Sequence, residues 1–426
     1  MQKTMLSRAL ACALMGVSVA AVAAEDDNQL APVVVTAPAS TNPLEVVIDP
    51  KAPQQPIPAN DGASFLKNIP GFGLIRKGGT DGDPVLRGSA GSRLNILLDG
   101  MEFHGGCGAR MDPPTAYVFP ESYDEVTVIK GPQTVRYGNG NSAGVVLFDH
   151  NREESKPGVS GFASVLGASF GRVDAVGTAR AASDKASLAA TLTHAKSDDY
   201  EDGAGNKVHS AYERQSATVL GGYKIDDNTR IDLDAVASRG EAAYADRTLD
   251  GSKFDRESYG VAFEKKNVSE RVKKISARVY HSYIDHVMDN YSLRTNDGTA
   301  TSYSMMNPDR TTDGARLSLD LSAGEQDVLV GLDYKSDDHT GRMVMNGSLA
   351  AAQAVYSAAR KTDYKSHFSG AFLEGRKPLV AGGDGKYGFR ADQWEGERYD
   401  AGVFKGSDKK ALTSGFGRLE RHQPTL

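Results

Sequence analysis

The stretch Leu94-Asn95-Ile96-Leu97-Leu98-Asp99-Gly100 is apolar at most positions and stops at Asp-Gly. A short apolar run bounded by turn residues reads as a strand entering a tight turn. Val85-Leu86-Arg87-Gly88 upstream and Val126-Thr127-Val128-Ile129-Lys130-Gly131 downstream have the same form. Residues 63–68 read as a short helix, closed by Ile69-Pro70-Gly71. Residues 59–152 are therefore expected to form one compact α/β domain.

Downstream, over residues 153–426, the texture changes. Segments of about ten residues alternate apolar or small residues with polar ones, separated by turn residues. Arg230-Ile231-Asp232-Leu233-Asp234-Ala235-Val236 is one, with Ile231, Leu233 and Ala235 on one face. Ala186-Ser187-Leu188-Ala189-Ala190-Thr191-Leu192-Thr193 and Arg316-Leu317-Ser318-Leu319-Asp320-Leu321 repeat the pattern. About eleven such segments can be counted. A soluble β-sandwich alternates similarly, but a long strand series with alternately tight and long polar connections favours a membrane barrel.

Upstream, residues 1–24 read as a secretory signal. Lys3 and Arg8 precede an apolar run over residues 9–23, which ends in small residues. Residues 25–58 are acidic, then rich in proline, and read as a flexible leader. Within the leader, Val33-Val34-Val35-Thr36-Ala37 is a β-prone patch able to add a strand to a partner's sheet edge. A chance apolar cluster would look the same.

No other apolar run approaches about 20 residues, so a membrane-spanning reading requires strands. The chain carries 49 Lys+Arg against 55 Asp+Glu, a net charge of −6, and loss of Lys3 and Arg8 with the signal makes it more negative. With no long basic tract, nucleic acid is not an expected partner. No phosphate-binding glycine loop, His-Glu-x-x-His or nucleophile elbow is present, so an enzyme is not expected. Of the two cysteines, Cys12 leaves with the signal, and Cys107 remains as a lone thiol in an oxidising compartment.

The succession Ile69-Pro70-Gly71, Val85-Leu86-Arg87-Gly88, Ile96-Leu97-Leu98-Asp99-Gly100, Val126-Thr127-Val128-Ile129-Lys130-Gly131-Pro132, Tyr137-Gly138 and Ser142-Ala143-Gly144-Val145-Val146 resembles the plug domain of TonB-dependent receptors. The resemblance implies a mainly β protein, with an N-terminal α/β plug inside a transmembrane antiparallel β-barrel of the outer membrane. It implies that residues 33–37 (Val33, Val34, Val35, Thr36 and Ala37) are the TonB box, gripped by TonB. It also implies about 22 barrel strands. This chain holds about half of them, so the C-terminal half of the barrel is expected to be missing.

His104-Gly105-Gly106-Cys107-Gly108-Ala109-Arg110-Met111-Asp112-Pro113-Pro114 further resembles the copper-receptor (OprC-type) branch of that family. In that branch a Cys-x-x-x-Met in the plug and a His-x-Met in the barrel bind copper. The matching positions are Cys107, Met111, His286 and Met288. Thiolate and thioether donors select Cu(I), imidazole also serves copper, and zinc is not expected to compete. Residues two apart on a strand share a face, so His286 and Met288 are expected to point inward with Ser276, Arg278 and Ser282. Ile275, Ala277, Val279 and Tyr283 then point outward, and Asp285 breaks the outward pattern. Met101, His104, Met305, Met306, Met343 and Met345 are left outside the site. The implied function is TonB-driven copper import. The alternatives are a receptor for an iron chelate (siderophore or haem) and a truncated, non-transporting remnant.

Overall fold

The computed structural model describes residues 44–152, 157–294, 301–379 and 383–421. The signal segment and the Val33-Val34-Val35-Thr36-Ala37 patch lie outside the described residues. The N-terminal domain contains β1 (Glu45–Ile48), α1 (Gly62–Leu66), β2 (Phe72–Ile75), β3 (Asp83–Leu86), β4 (Leu94–Leu98), β5 (Met101–Glu102), β6 (Glu125–Lys130) and β7 (Gly144–Asp149). Five of these strands form one sheet in the order β1-β6-β7-β4-β5, in which only β4 and β7 run parallel.

The near-continuous apolar runs have a simple cause. Side chains alternate across the sheet. Ile96, Leu98, Val126, Val128, Val146 and Phe148 join the main core, while Leu97, Val145 and Leu147 form a second cluster. Both faces of β4 and β7 are thus buried. The Asp99-Gly100 turn pairs Leu98 with Met101, and both turn residues have positive φ, 50° and 76°. That is the type I′ geometry which Asp-Gly favours. Helix α1 is capped by Asp61, whose carboxylate accepts from the Ser64 amide at 2.8 Å.

The leader differs from the sequence reading. Glu45–Ile48 is not a free segment: as β1 it pairs with β6, Val46 opposite Val128. The plug sheet therefore starts before residue 59. Proline richness on both sides obscured a four-residue edge strand.

The second region begins with β8 (Gly158–Ala168), β9 (Arg172–Ala182) and β10 (Ala186–Ser197), then a short hairpin of β11 (Tyr200–Glu201) and β12 (Lys207–Val208). β13 (Tyr212–Asp226), β14 (Thr229–Ala242), β15 (Asp250–Lys266) and β16 (Val272–Asp289) follow. After β17 (Tyr303–Met306) come β18 (Asp309–Ala323), β19 (Gln326–Gly341), β20 (Met343–Gly347) and helix α2 (Leu349–Ala354). β21 (Lys361–Leu379), β22 (Gly383–Asp400) and β23 (Val403–Arg421) end the series. Twelve of these strands pair antiparallel in one continuous sheet from β8 to β23. Among the described residues no strand joins β8 to β23, so the sheet is open at both ends.

This sheet has an inverted polarity. On β14, Leu233 is 53% exposed on the outer side, while Asp234, facing the plug, is 3% exposed. Asp234 binds Arg278 of β16 at 2.7 Å and Arg152 at 3.2 Å. Leu188, Val279, Leu317, Leu332 and Phe389 also lie exposed. A soluble sandwich buries its apolar alternate residues, and a membrane barrel turns them outward. The plug is held against the polar inner side by charged and backbone contacts. Glu374 of β21 accepts from the Val135 and Arg136 amides at 2.5 and 2.9 Å.

Candidate metal centre

The loop after β5 brings a thiol to the inner side of the sheet. Its shape is set by one carboxylate. Asp112, fully buried, accepts from the amides of Gly106 at 2.6 Å and Cys107 at 2.8 Å, and from the Tyr117 hydroxyl at 2.9 Å. A turn follows, in which the Arg110 amide donates to the Cys107 carbonyl at 2.9 Å and Arg110 takes φ 57°. The Arg110 guanidinium then forks onto Asp83 at 2.7 and 2.8 Å. Gly105 is required here, because a Cβ at that position would meet the Asp112 carbonyl oxygen at 1.8 Å.

Strand β16 supplies the opposing side chains. Alternation carries Arg278, Ser282, His286 and Met288 to the inner side, as expected from the sequence: Arg278 binds Asp234, Ser282 bonds Ser258, and His286 and Met288 are 0% and 2% exposed. Tyr280 belongs to the same face and donates to the Glu102 carbonyl of the plug at 3.0 Å. Val279 is exposed on the outer side. Asp285, which broke the apolar outer pattern, is held by Lys253 at 2.5 Å, by Arg360 at 2.6 Å and by Asn307 at 2.6 Å. A register shift in β15 between Gly251 and Lys253 lies beside this end of β16. Such a bulge re-aims the local backbone, and here the Lys253 carbonyl accepts from His286 Nδ1 at 2.8 Å. His286 Nε2 is buried with no hydrogen-bond partner.

The structure brings these pieces together. Donor atoms of Cys107, Asp112 and His286 all lie within 4.8 Å of one another. Cys107, Met111 and Met288 line one cavity of about 900 Å³. Met111 and Met288 belong to the same buried core, against which Cys107 packs. Burial pushes the Cys107 thiol up, and the Asp112 carboxylate beside it adds to the effect. A cation displaces that proton on binding, since the ligand form is the thiolate.

Several residues of this centre escaped the sequence reading. Asp112 sits inside the quoted loop, but a lone Asp before two prolines gives no signal of burial. His339 is invisible in sequence because its partners are distant: Nε2 donates to the Gly106 carbonyl at 2.6 Å, and Nδ1 faces Asp363. With both nitrogens engaged it braces the loop. Met306, Met343 and Met345, left out above, line the same cavity as Cys107. Met306 is placed there because β17 pairs onto the end of β16, Met306 opposite Met288. Met305 instead packs with Val287, Ala352 and Val355 in a separate small cluster. Met101 is core, and His104 lies 3.3 Å from the Lys335 ammonium.

Comparison with known proteins agrees with this architecture. The TonB-dependent Receptor Plug Domain family matches residues 38–145. The solved structure of the copper transporter OprC is 40% identical over 90% of this chain and 61% of its own length, with a TM-score of 0.86. The FrpB iron transporter from Neisseria meningitidis (F3-3 variant) is 16% identical over 88% of this chain and 61% of its own, with a TM-score of 0.65. The unliganded ferric citrate transporter FecA is 16% identical over 88% and 59%, with a TM-score of 0.66. The last two share the fold alone. This chain spans about three fifths of the length of the structures it matches. With an N-terminal plug seated on an antiparallel sheet whose apolar face points outward, the chain belongs to the TonB-dependent receptors, of the OprC type.

Proposed function

We propose that the chain is the plug and adjoining barrel wall of an outer-membrane receptor that captures copper and passes it to the periplasm with energy delivered through TonB. The observation that carries this reading is the pairing across two domains. Cys107 comes from the plug and His286 from the barrel wall, and their donor atoms lie within 4.8 Å. The His286 lone pair is buried and unused. Met111 and Met288 line one cavity with Cys107. One thiolate, two thioethers and one imidazole form a soft set suited to Cu(I).

The division of ligands also supplies a release step. Cys107 and Met111 move with the plug, whereas His286 and Met288 stay with the wall. Pulling on residues 33–37 would draw two donors away from the other two, and a site that needs all four would then let go. The likeness to the copper transporter OprC supports the choice of cargo.

A metal chelate is the competing cargo, because about 900 Å³ lies within the usual range for small-molecule pockets. Metal analysis after exposure to copper under reducing conditions separates the two, with wild type compared against Cys107→Ser and His286→Ala. The copper reading requires about one copper per chain in wild type and a loss in both variants. Full occupancy in both variants would transfer the argument to a chelate.

A further inference from the structure

Arg256 carries a charge that the wall leaves unpaired. It lies on the inner face of β15, opposite Ile284 of β16 and Ser238 of β14, and is 1% exposed. Its Nε, Nη1 and Nη2 are all buried without a hydrogen-bond partner among the described residues. Other inner arginines are neutralised: Arg278 by Asp234 at 2.7 Å, and Arg390 by Asp333 at 2.6 Å and Asp392 at 2.7 Å. The Arg256 guanidinium instead lies over the Phe103 ring, 4.3 Å from its centroid. Phe103 belongs to the plug, between β5 and the Cys107 loop, and is itself buried, with its ring edge-on to Tyr117 at 6.1 Å. The residue across on β14 adds nothing to the pairing, because the Ser238 hydroxyl is also buried without a partner.

A guanidinium keeps its proton even when buried. Taking that charge out of water costs more than a ring face returns, since the cation–π attraction replaces none of the N–H hydrogen bonds lost. Other contacts between plug and wall are bonds that hold, such as those from the Val135 and Arg136 amides to Glu374. The contact of Arg256 with Phe103 acts in the opposite sense. Docking keeps water from the guanidinium, and departure of the ring lets water back without breaking any hydrogen bond to it. We propose that Arg256 is a loosening device, which weakens the docking of the plug segment around Phe103 and favours its departure from the wall once the plug is pulled. The plug is seated by its bonds elsewhere and kept releasable at this point. The proposal concerns the seam between plug and wall and holds for any cargo.

Hydrogen exchange of the purified, metal-free chain tests it, read by mass spectrometry on peptides covering residues 101–107, with denaturant unfolding alongside. Two variants remove the unpaired charge in different ways. Arg256→Met puts an apolar chain in its place, and Ser238→Asp sets a carboxylate directly across from it. Each is expected to slow exchange in this segment by about tenfold or more. Combining the two must reverse the sign: in the Arg256→Met background the new acid has no partner, so adding Ser238→Asp should speed exchange by about tenfold. Arg256→Lys keeps the charge and should not slow exchange. Faster exchange or lower stability in Arg256→Met would make Arg256 a clamp on the plug and overturn the proposal, as would unchanged exchange in both single variants. Should Arg256→Met not fold, Ser238→Asp alone decides: slower exchange upholds the proposal, and unchanged or faster exchange overturns it. Because no metal is present, failure of the copper reading leaves these outcomes untouched.

Discussion

The Nδ1 of His286 donates to the main-chain carbonyl of Lys253 across 2.8 Å, and this bond fixes which nitrogen of the ring faces the site. A carbonyl oxygen cannot donate, so Nδ1 carries a proton, and in the neutral ring Nε2 presents its lone pair. Ring-to-backbone bonds of this kind orient metal-binding histidines. The partner is main chain, which makes the orientation insensitive to the residue at position 253. The Lys253 ammonium makes partly exposed ion pairs with Asp285 and Asp255, and such pairs contribute little. Silver titration should therefore show His286→Ala losing about a hundredfold in affinity and Lys253→Ala less than about threefold. A large loss in Lys253→Ala would mean that the ring is positioned by the ion pairs instead.

The two methionines can be tested as ligands only if packing is held constant. Met111 and Met288 are 5% and 2% exposed, and truncation to Ala in such places costs about 2–5 kcal/mol through the cavity left behind. Leucine nearly conserves volume and deletes the sulfur. Met111→Leu and Met288→Leu should each leave the unfolding midpoint almost unchanged and reduce Ag(I) affinity by about tenfold, less than Cys107→Ser, because a thioether is the weaker donor. Retention of full affinity in both would remove the thioethers from the site.

How much of this was legible in the sequence varies with the range of the interaction. The strand runs and the Asp99-Gly100 turn could be read directly, because alternation and turn chemistry act over a few residues. Pairing of His286 with Met288 on one face followed from the same local rule. Edge strand β1 was missed, since its identity comes from β6, about 80 residues away, and its own flanks look like linker. Asp112 and His339 were missed for a related reason. An Asp becomes a buried hub only when the Gly106 and Cys107 amides turn toward it, and His339 becomes a brace only when β19 passes the plug loop. Position along the chain carries neither fact. The resemblance to a known family supplied the pairing of Cys107 with His286, which no local pattern could have given.

The leader patch Val33-Val34-Val35-Thr36-Ala37 is proposed to serve coupling and not capture. Its sequence suits strand addition to a partner. Deleting residues 33–37 should leave metal binding to purified protein unchanged. In cells carrying a receptor with this leader, the same deletion should abolish copper accumulation. Uptake that persists after the deletion would exclude the patch as the TonB contact.

The last prediction concerns pH and the network behind the Cys107 loop. Tyr244, fully buried, donates to the Met111 carbonyl at 3.1 Å and lies 3.4 Å from Asp81. Asp81 is itself buried at a positive φ of 61°, with Arg214 of β13 at 3.3 Å. Burial pushes the Asp81 carboxyl up to about 6, and the Arg214 charge only partly opposes it. An acid with a raised pKa in the folded state holds its proton more tightly folded than unfolded. Its contribution to stability is fully present below about pH 4 and is lost as pH rises through about 6. A shift of about two units corresponds to roughly 2–3 kcal/mol at most. Other groups run the opposite way: Arg180 and Lys51 outweigh burial and hold the Asp124 carboxyl below the usual range. The total stability curve therefore hides the contribution of Asp81, and the difference between wild type and Asp81→Asn isolates it. Denaturant unfolding across pH 4 to 7 should show wild type losing stability relative to Asp81→Asn as pH rises, most steeply near about pH 5. Parallel curves would mean that Asp81 stays ionised against Arg214 throughout, and that the network behind Met111 does not respond to pH.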